Sequence, residues 1–416
     1  MRSICLQFAA FICFYSGSAQ LPFKYDNTSY KAIYLNQVSK LMDENPGYIL
    51  LDVRTPGEYS DTSNHSNLNM GRLKGARNID IDSISSHLEE LKKDSDKAFF
   101  IYCSHSQRSR RVSKLLSENG FKKVFNINGG MSVVNEADNM AFPDKNKFYI
   151  SNTRYVNISA TPACELILHD PDLLTIDIRS KSQFESNDPI NQNNIGRIKN
   201  AVNIPASEFD KDFTALQVSK SKKILIYDQR GSNSAHYAAT LIKSGYQNVY
   251  NLFEGIANLE TDNNADANLI RQVIVATPQY KIIGVKHSIQ LMRQNPDIVI
   301  LDTRPAKEFE NKSEEEHLNL GHMKNSIHID NRKPDDVVRK LDDVVSNKNK
   351  QTYFLVYGSG PSAEDHSADV CKKLTDKGYK NVYLLYPGLY RFVWSTTNIE
   401  SCRDGHDLLS DHDGLY

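Results

Sequence analysis

The chain repeats itself three times, and this repetition limits the possible folds more than any other feature. Apolar runs that end in Asp-x-Arg reach Asp52, Asp177 and Asp302, with a constant offset of 125 residues. Three further landmarks follow each run in the same order: a Gly-x-x-Lys segment, a strand that leads through a turn into a helix, and a second strand followed by glycine. A fixed internal period indicates a chain built from repeated structural units.

Each unit alternates short β-branched runs with amphipathic helices, which is typical of an α/β fold with helices on a parallel sheet. In the helix after the first turn, Val112, Leu115 and Leu116 share one face, and Gly120 follows where a left-handed residue commonly ends a helix. We therefore predict three tandem domains, each a mostly parallel sheet flanked by helices. The predicted boundaries are 28–143, 150–265, 275–400 and a polar tail at 401–416.

The first 19 residues have the pattern of a secretory signal peptide. Arg2 precedes an apolar run at 4–15, and Gly17 with Ala19 forms a small-x-small cleavage site. The run is shorter than the roughly 20 residues of a membrane-spanning helix, so an uncleaved anchor is the less favoured alternative. The sequence predicts an exported protein, periplasmic or extracellular, with no membrane association after cleavage.

Composition excludes some functional classes. With 39% hydrophobic residues and a net charge of -1, the chain can bury cores but has no general basic field for nucleic acid. Four cysteines follow the signal, too few for a disulfide framework. No metal or cofactor is expected; His406 and His412 in the tail suggest weak metal binding or, more simply, a solvated end.

The stretch CSHSQRS at 103–109 carries the chemistry. Cys103 ends an apolar strand and begins the turn into a helix, where unpaired backbone N-H groups and the helix dipole favour an anion. A thiolate in this position would be stabilised and nucleophilic, and Arg108 adds a positive charge within reach. The alternative for Cys103 is a buried small hydrophobic residue; its position between strand and N-H-rich turn favours a functional role.

Together these motifs resemble the rhodanese family of sulfurtransferases. The resemblance rests on the Asp-x-Arg strand end, the segment with Gly71, Gly75 and Asn78, and the Cys-x-x-x-x-Arg-Ser loop. It implies that Cys103 attacks the outer sulfur of a donor such as thiosulfate, releases sulfite and holds the sulfur as a persulfide. A small nucleophile such as cyanide or a thiol then accepts the sulfur, without a cofactor.

The resemblance also implies the site. Cys103 would be catalytic, Arg108 would orient the donor, and main-chain N-H groups of the loop would stabilise the persulfide. Substrate binding is assigned to Ser104, His105, Ser106, Gln107, Arg108 and Ser109. The six-position loop favours sulfur transfer over a phosphatase or arsenate reductase, whose loops are one residue longer. Ser106 stands where many family members have glycine, which tolerates positive φ better than serine does.

The other repeats lack the nucleophile. The equivalents of Cys103 are Asp228 and Gly358, so a single active site is expected. Asp228 is predicted to form a local ion pair with Arg230, and Glu364 with Asp365 to cap the third-repeat helix. A binding or scaffold protein, in which the two degenerate repeats do the work, is the alternative function.

The Asp-x-Arg pair that recurs in the three repeats, and two of the other thiols, are predicted to be structural. The Asp52 and Arg54 pair recurs where the cysteine does not, which favours a role in the fold. Cys164 and Cys371 are predicted to be buried core residues. Cys103 is predicted to be unpaired in a small basic pocket, with any disulfide joining Cys402 to Cys371 or to Cys164.

Overall fold

Each repeat forms a five-stranded parallel sheet with the same strand order. The computed structural model describes residues 29–137, 142, 144–261, 267–330, 332, 334–360 and 365–410. Across the first sheet the strands are Lys31–Ile33, Lys123–Ile127, Ala98–Tyr102, Ile49–Asp52 and Arg77–Asn78. The predicted α/β class is confirmed, whereas the predicted signal peptide lies outside the described residues.

The second and third sheets reproduce this order. In the second, the strands are Val156–Ile158, Asn248–Leu252, Lys223–Tyr227, Leu174–Asp177 and Val202–Asn203. In the third, they are Lys281–Ile283, Asn381–Leu385, Tyr353–Tyr357, Val299–Asp302 and Ile327–His328. The repeated order shows that the three units share one topology.

Helices cover both faces of each sheet. The first repeat contains Leu35–Asp43, Pro56–Ser60, Ile84–Leu91, Gln107–Glu118, Gly130–Glu136 and the short Lys145–Phe148. The second contains Ala160–His169, Lys181–Phe184, Phe209–Ala215, Ser234–Lys243, Gly255–Thr261 and Ala267–Val273. The third contains Val285–Gln294, Ala306–Phe309, Pro334–Val345, Ser367–Asp376 and Leu389–Asn398.

The helix after the cysteine loop shows why the pattern could be read from the sequence. Val112 and Leu116 are 1% and 0% exposed and pack on the sheet. Gly120 has φ 90°, in the left-handed region that glycine adopts without a Cβ penalty. The strand Ala98–Tyr102 is buried along its whole length because helices cover both of its faces.

A short antiparallel pair closes each repeat. The strand Tyr149–Ile150 pairs with Arg72–Leu73 of the first repeat. The second and third repeats are closed in the same way, by Ile274–Val275 on Arg197–Ile198 and by Leu409–Ser410 on His322–Met323. We call these three two-residue strands the closing strands.

The Asp-x-Arg pair is structural, as predicted. The Arg54 guanidinium binds the Asp52 carboxylate at 2.7 Å and donates to the Gly71 carbonyl at 2.7 Å, with both charged side chains fully buried. The second and third repeats repeat the pair and its carbonyl contact. The pair therefore ties the end of a central strand to the Gly-x-x-Lys segment.

The tail and the thiols correct part of the prediction. Residues 400–408 form a 3-10 helix ahead of the third closing strand, so 401–410 is not a solvated tail; His412 lies outside the described residues. Cys402 is fully buried, as are Cys164 and Cys371, whose core positions were predicted correctly. No disulfide joins any of these four cysteines, so neither of the Cys402 pairings considered from the sequence is present among the described residues.

Candidate active site

The Cys103 loop is held against a glycine turn. Cys103 directly follows the strand Ala98–Tyr102 and is 1% exposed. Its carbonyl accepts a hydrogen bond from Met131 N at 2.9 Å, and the Ser104 carbonyl accepts one from Ser132 N at 2.9 Å. Gly130 has φ 55°, and a Cβ there would overlap the Cys103 carbonyl, so this approach requires glycine.

Ser106 adopts the positive φ that the loop requires. Its φ and ψ are 77° and -24°. The Ser106 hydroxyl accepts a hydrogen bond from Gly129 N at 2.5 Å, and the Ser109 hydroxyl donates to the Ser106 carbonyl at 3.0 Å. These contacts compensate for the conformational cost of a side chain in the left-handed region.

Arg108 is paired with a carboxylate. Its guanidinium donates to both oxygens of Glu58 at 2.6 Å and to the Ser104 hydroxyl at 2.9 Å. Glu58 is nearly buried at the third position of the helix Pro56–Ser60, where Thr55 forms a capping box with it. The pocket at Cys103 was predicted to be basic. Glu58 largely neutralises the charge of Arg108, so the pocket is less basic than predicted.

This pair sets the ionisation of both groups. Burial alone would raise the pKa of Glu58, but the hydrogen bonds and charge of Arg108 outweigh burial and hold that pKa below its ordinary value. The hydrogen bonds from Arg108 to Glu58 raise the pKa of Arg108, although burial works against the charge. Both groups are charged at neutral pH and lock the loop to the Pro56–Ser60 helix.

The six predicted binding residues divide by exposure. Ser104, Ser106 and Ser109 are buried and hold the loop, His105 and Gln107 are exposed, and Arg108 is partly exposed. Side-chain hydroxyls of the loop therefore serve its shape, and its backbone N-H groups and His105 are left for a substrate.

The last helix of the third repeat supports the loop from outside. The Trp394 indole donates to the His105 carbonyl at 3.2 Å. The Asn398 amide oxygen accepts from Arg110 Nη2 at 3.1 Å and from Gly129 N at 3.3 Å. The loop of repeat one is thus positioned by a repeat that carries no nucleophile.

In the second repeat the loop binds its own carboxylate. Asp228 accepts backbone N-H groups from Arg230 (3.0 Å), Gly231, Asn233 (2.6 Å) and Ser234 (3.2 Å). Its contact with Arg230 is thus made through the backbone, whereas an ion pair was predicted. Four N-H groups around one carboxylate show that this loop geometry is an anion-binding nest.

In the third repeat, a carboxylate from a residue later in the loop fills the corresponding space. The Asp365 carboxylate lies where a Cβ on Gly358 would be and accepts from Ser367 N at 2.9 Å. Asp365 therefore caps the helix as predicted, while Glu364 lies outside the described residues. Burial raises the pKa of Asp365 to about 6.

The sequence reasoning missed the residues that support Cys103 from a distance. Glu58 and Asn398 were not considered because they lie 45 and 295 positions from the cysteine. One sequence signal could have identified Glu58. Glu58 and Arg108 of repeat one are both replaced in repeat two, by Gln183 and Asn233.

Neither a metal centre nor a membrane span is found in the described ranges. No three His, Cys, Asp or Glu side chains among the described residues come together as metal ligands would. Within the same ranges, no helix has the length and apolar character needed to cross a bilayer.

Known proteins with similar sequences match single repeats. The uncharacterized protein YqhL of Bacillus subtilis is 31% identical over 104 residues, which is 24% of this chain and 74% of that protein. The tRNA uridine(34) hydroxylase of Salmonella agona is 29% identical over 110 residues, which is 26% of this chain but only 30% of the hydroxylase.

Solved structures that are similar to this chain superpose on it with low TM-scores. A rhodanese-like domain protein from Staphylococcus aureus is 25% identical, with a TM-score of 0.20, and the match covers 27% of this chain and 90% of that chain. A thiosulfate sulfurtransferase from Pseudomonas aeruginosa is 12% identical, with a TM-score of 0.21, covering 88% of this chain and 65% of that one.

The family model provides the assignment. The rhodanese-like domain model matches residues 35–137, 162–262 and 286–393. Each matched range contains one of the three parallel sheets from its second strand onward. The chain therefore belongs to the rhodanese-like domain family, with three such domains in tandem.

Proposed function

We propose that this protein is a sulfurtransferase with one active site, at Cys103. The Cys103 thiolate attacks the outer sulfur of a donor such as thiosulfate. The sulfur-sulfur bond of the donor breaks, sulfite leaves with the electron pair, and Cys103 carries a persulfide. A nucleophilic acceptor, cyanide or a thiol, then attacks the outer sulfur and returns Cys103 to the thiolate.

The anion-binding geometry of the loop is the observation that carries this proposal. In repeat two, the N-H groups of four loop residues bind the Asp228 carboxylate. The N-H groups at the equivalent positions 105, 106, 108 and 109 meet no protein acceptor in the described ranges. They are available to a thiolate, a persulfide or the departing sulfite, and hydrogen bonds to charged groups contribute about 1.5–3 kcal/mol each.

Intact-mass measurement after thiosulfate treatment tests the proposal. We expect the wild-type chain to gain the mass of one sulfur atom, which cyanide then removes. Cys103→Ser should gain nothing, while Cys164→Ala, which removes a buried thiol of repeat two, should load normally. Sulfur transfer by Cys103→Ser, or no loading of the wild type by thiosulfate or another sulfane donor, would overturn the proposal.

We also propose export, on the basis of the first 19 residues alone. Sequencing the N-terminus of protein recovered from the producing cell tests this proposal. A mature chain that starts at Gln20 is expected, and a chain that retains residues 1–19 inside the cell would contradict it.

A further inference from the structure

A cavity lies where the three repeats meet. Its volume is about 220 Å³, and residues of all three repeats line it. His105, Arg230 and Pro387 each follow the carboxyl end of a strand in a different sheet. The carboxyl ends of parallel strands are where α/β proteins bind ligands, because loops and helix N-termini converge there. Here three such ends face one space.

The Arg391 guanidinium in the cavity has two nitrogens that no described residue binds. Arg391 binds Glu136 at 2.6 Å and Glu254 at 3.3 Å, and both contacts use Nη2. Trp394 supports the guanidinium, whose centre lies 4.4 Å from the ring centroid. Arg391 lines the cavity and is 20% exposed, and no described residue accepts a hydrogen bond from its Nε or Nη1, so these donors can serve a ligand.

The charges around the cavity balance. Arg230 and Arg391 are cationic, and the Glu136 and Glu254 carboxylates offset them. Burial opposes ionisation of Glu254, but the Arg391 charge and the hydrogen bond from Ser132 act against burial, and the pKa of Glu254 lies below its ordinary value. Electrostatic complementarity then favours a ligand that carries both signs over a dianion such as thiosulfate.

The volume limits the size of the ligand. Pockets for drug-sized ligands have about 300–1,000 Å³, so a cavity of 220 Å³ suits a smaller molecule. His105 belongs to the Cys103 loop and is itself a lining residue, which brings such a ligand beside the reactive loop.

We propose that the cavity binds the sulfur acceptor, and that the acceptor is a zwitterionic thiol of amino-acid size. The acceptor carboxylate would face the Arg391 and Arg230 guanidinium groups, its ammonium would face Glu254, and its thiol would face His105. This inference rests on the proposed function, because it names the second substrate of the same site.

His105 provides the proton acceptor for this step. The protein around the His105 ring disfavours its charged form and lowers its pKa, although the side chain itself opens onto the cavity. The charges of Arg391 and Arg108 lower that pKa further against the opposing effect of Glu254, so the neutral ring is favoured at pH 7. The acceptor thiol gives its proton to His105, and the thiolate attacks the outer sulfur of the persulfide. The bond from Cys103 to that sulfur breaks, Cys103 leaves as a thiolate, and the acceptor departs as a persulfide. No external oxidant or reductant is consumed.

Calorimetry tests binding without any sulfur chemistry. The full chain with Cys103→Ser is titrated with S-methylcysteine, which has the charges of cysteine but no free thiol. We expect saturable binding that Arg230→Gln weakens at least fivefold. Arg154→Gln removes an equivalent charge from an exposed position away from the cavity and should leave binding unchanged. Absence of binding, or equal loss in both variants, would overturn the inference and leave the proposed function standing.

Single-turnover kinetics tests the choice of acceptor. Persulfide-loaded wild type should transfer sulfur to cysteine at least tenfold faster, at limiting acceptor, than to cysteamine or 3-mercaptopropionate, each of which lacks one charge. Arg230→Gln should reduce the preference for cysteine over cysteamine, whereas the control Arg154→Gln should leave that preference unchanged. Equal rates for the three thiols would overturn the inference, whereas failure to load sulfur at all would count against the proposed function instead.

Discussion

The loops of repeats one and two have nearly the same backbone, but only the loop of repeat one leaves its anion site open. Ser106 and Gly231 have φ of 77° and 75° at the same loop position. Each loop also starts with a carbonyl that accepts a hydrogen bond from the glycine turn, at 2.9 Å for Cys103 and 3.0 Å for Asp228. What differs is the first side chain: a thiol in one, and in the other a carboxylate that fills the nest. The anion site is therefore a property of the backbone, and one side chain decides whether it is open.

The two loops also differ in how they are anchored. Repeat one uses the ion pair of Glu58 with Arg108 and receives support from Asn398. In repeat two, the Asp228 carboxylate itself joins the start of the loop to the start of the helix Ser234–Lys243. A repeat without a carboxylate at the first loop position therefore depends on contacts from other segments to hold its loop.

The largest effect is expected when repeat one is given the side chain of repeat two. Cys103→Asp should abolish sulfur transfer, because a carboxylate cannot hold a sulfane sulfur. The carboxylate should occupy the nest, so thermal unfolding should occur at a temperature equal to or above that of Cys103→Ser. A Cys103→Asp protein clearly less stable than Cys103→Ser would show that the two nests are not equivalent.

The reverse exchange asks whether the nest alone permits loading. In a Cys103→Ser background, Asp228→Cys should gain one sulfur atom from thiosulfate, more slowly than wild type because Gln183 and Asn233 replace the anchoring ion pair. Intact mass and peptide mapping locate the sulfur. If thiosulfate leaves the exchanged repeat unmodified, the ion pair of repeat one is needed for the reaction as well as for the loop.

A smaller effect is expected from removing the support that repeat three provides. Asn398→Ala removes one acceptor each from Gly129 N and Arg110 Nη2, which keep Ser106 Oγ and Asn128 Oδ1, and a typical hydrogen bond contributes a net of about 0.5–1.5 kcal/mol. Urea unfolding should show that loss, together with slower transfer to cyanide. Asn398→Asp keeps an acceptor and should recover most of the stability; equal damage from both changes would contradict the assigned role.

The smallest effect concerns two glutamates in equivalent positions, Glu58 and Glu308. Because the pKa of Glu58 is lowered from 4.5 in the folded state, its stabilisation is complete above that value and is lost as pH falls through the lower folded value. Burial raises the pKa of Glu308, so its contribution is present at low pH and is lost as pH rises through the raised value.

Glu58→Gln should therefore cost about 1 kcal/mol at pH 7, since Arg108 is partly exposed, and less at pH 3. Glu308→Gln should be neutral or stabilising at pH 7. Chemical unfolding at the two pH values measures both, and the same pH dependence in the two variants would contradict the difference between repeats.

Local patterns explain what the sequence could predict. The strand Ala98–Tyr102, the buried face with Val112 and Leu116, and the terminal Gly120 follow from periodicity over a few residues, which survives in any context. The same is true of the position of Cys103 between strand and helix. Repetition at 125 residues then extended these local assignments to the whole chain.

Contacts between distant segments explain what it could not predict. Asn398 reaches the Cys103 loop only because repeat three folds back onto repeat one, and no pattern near residue 398 indicates this. The role of 401–410 was missed for a similar reason. A polar segment can form a 3-10 helix when one of its own residues, here Cys402, is buried in the core. Tertiary packing, rather than local propensity, decides both.

The closing strands have a consequence for how such a chain can grow. Each closing strand comes after the five-stranded sheet of its own repeat, and the first two precede the first strand of the next repeat. A backbone hydrogen bond of 2.6 to 2.8 Å lies beside each antiparallel pair. A duplicated segment of about one period therefore contains its own closing strand. Tandem duplication can therefore add a repeat whose closing pair is complete within itself, and the loop of one copy can diverge while another copy retains the cysteine.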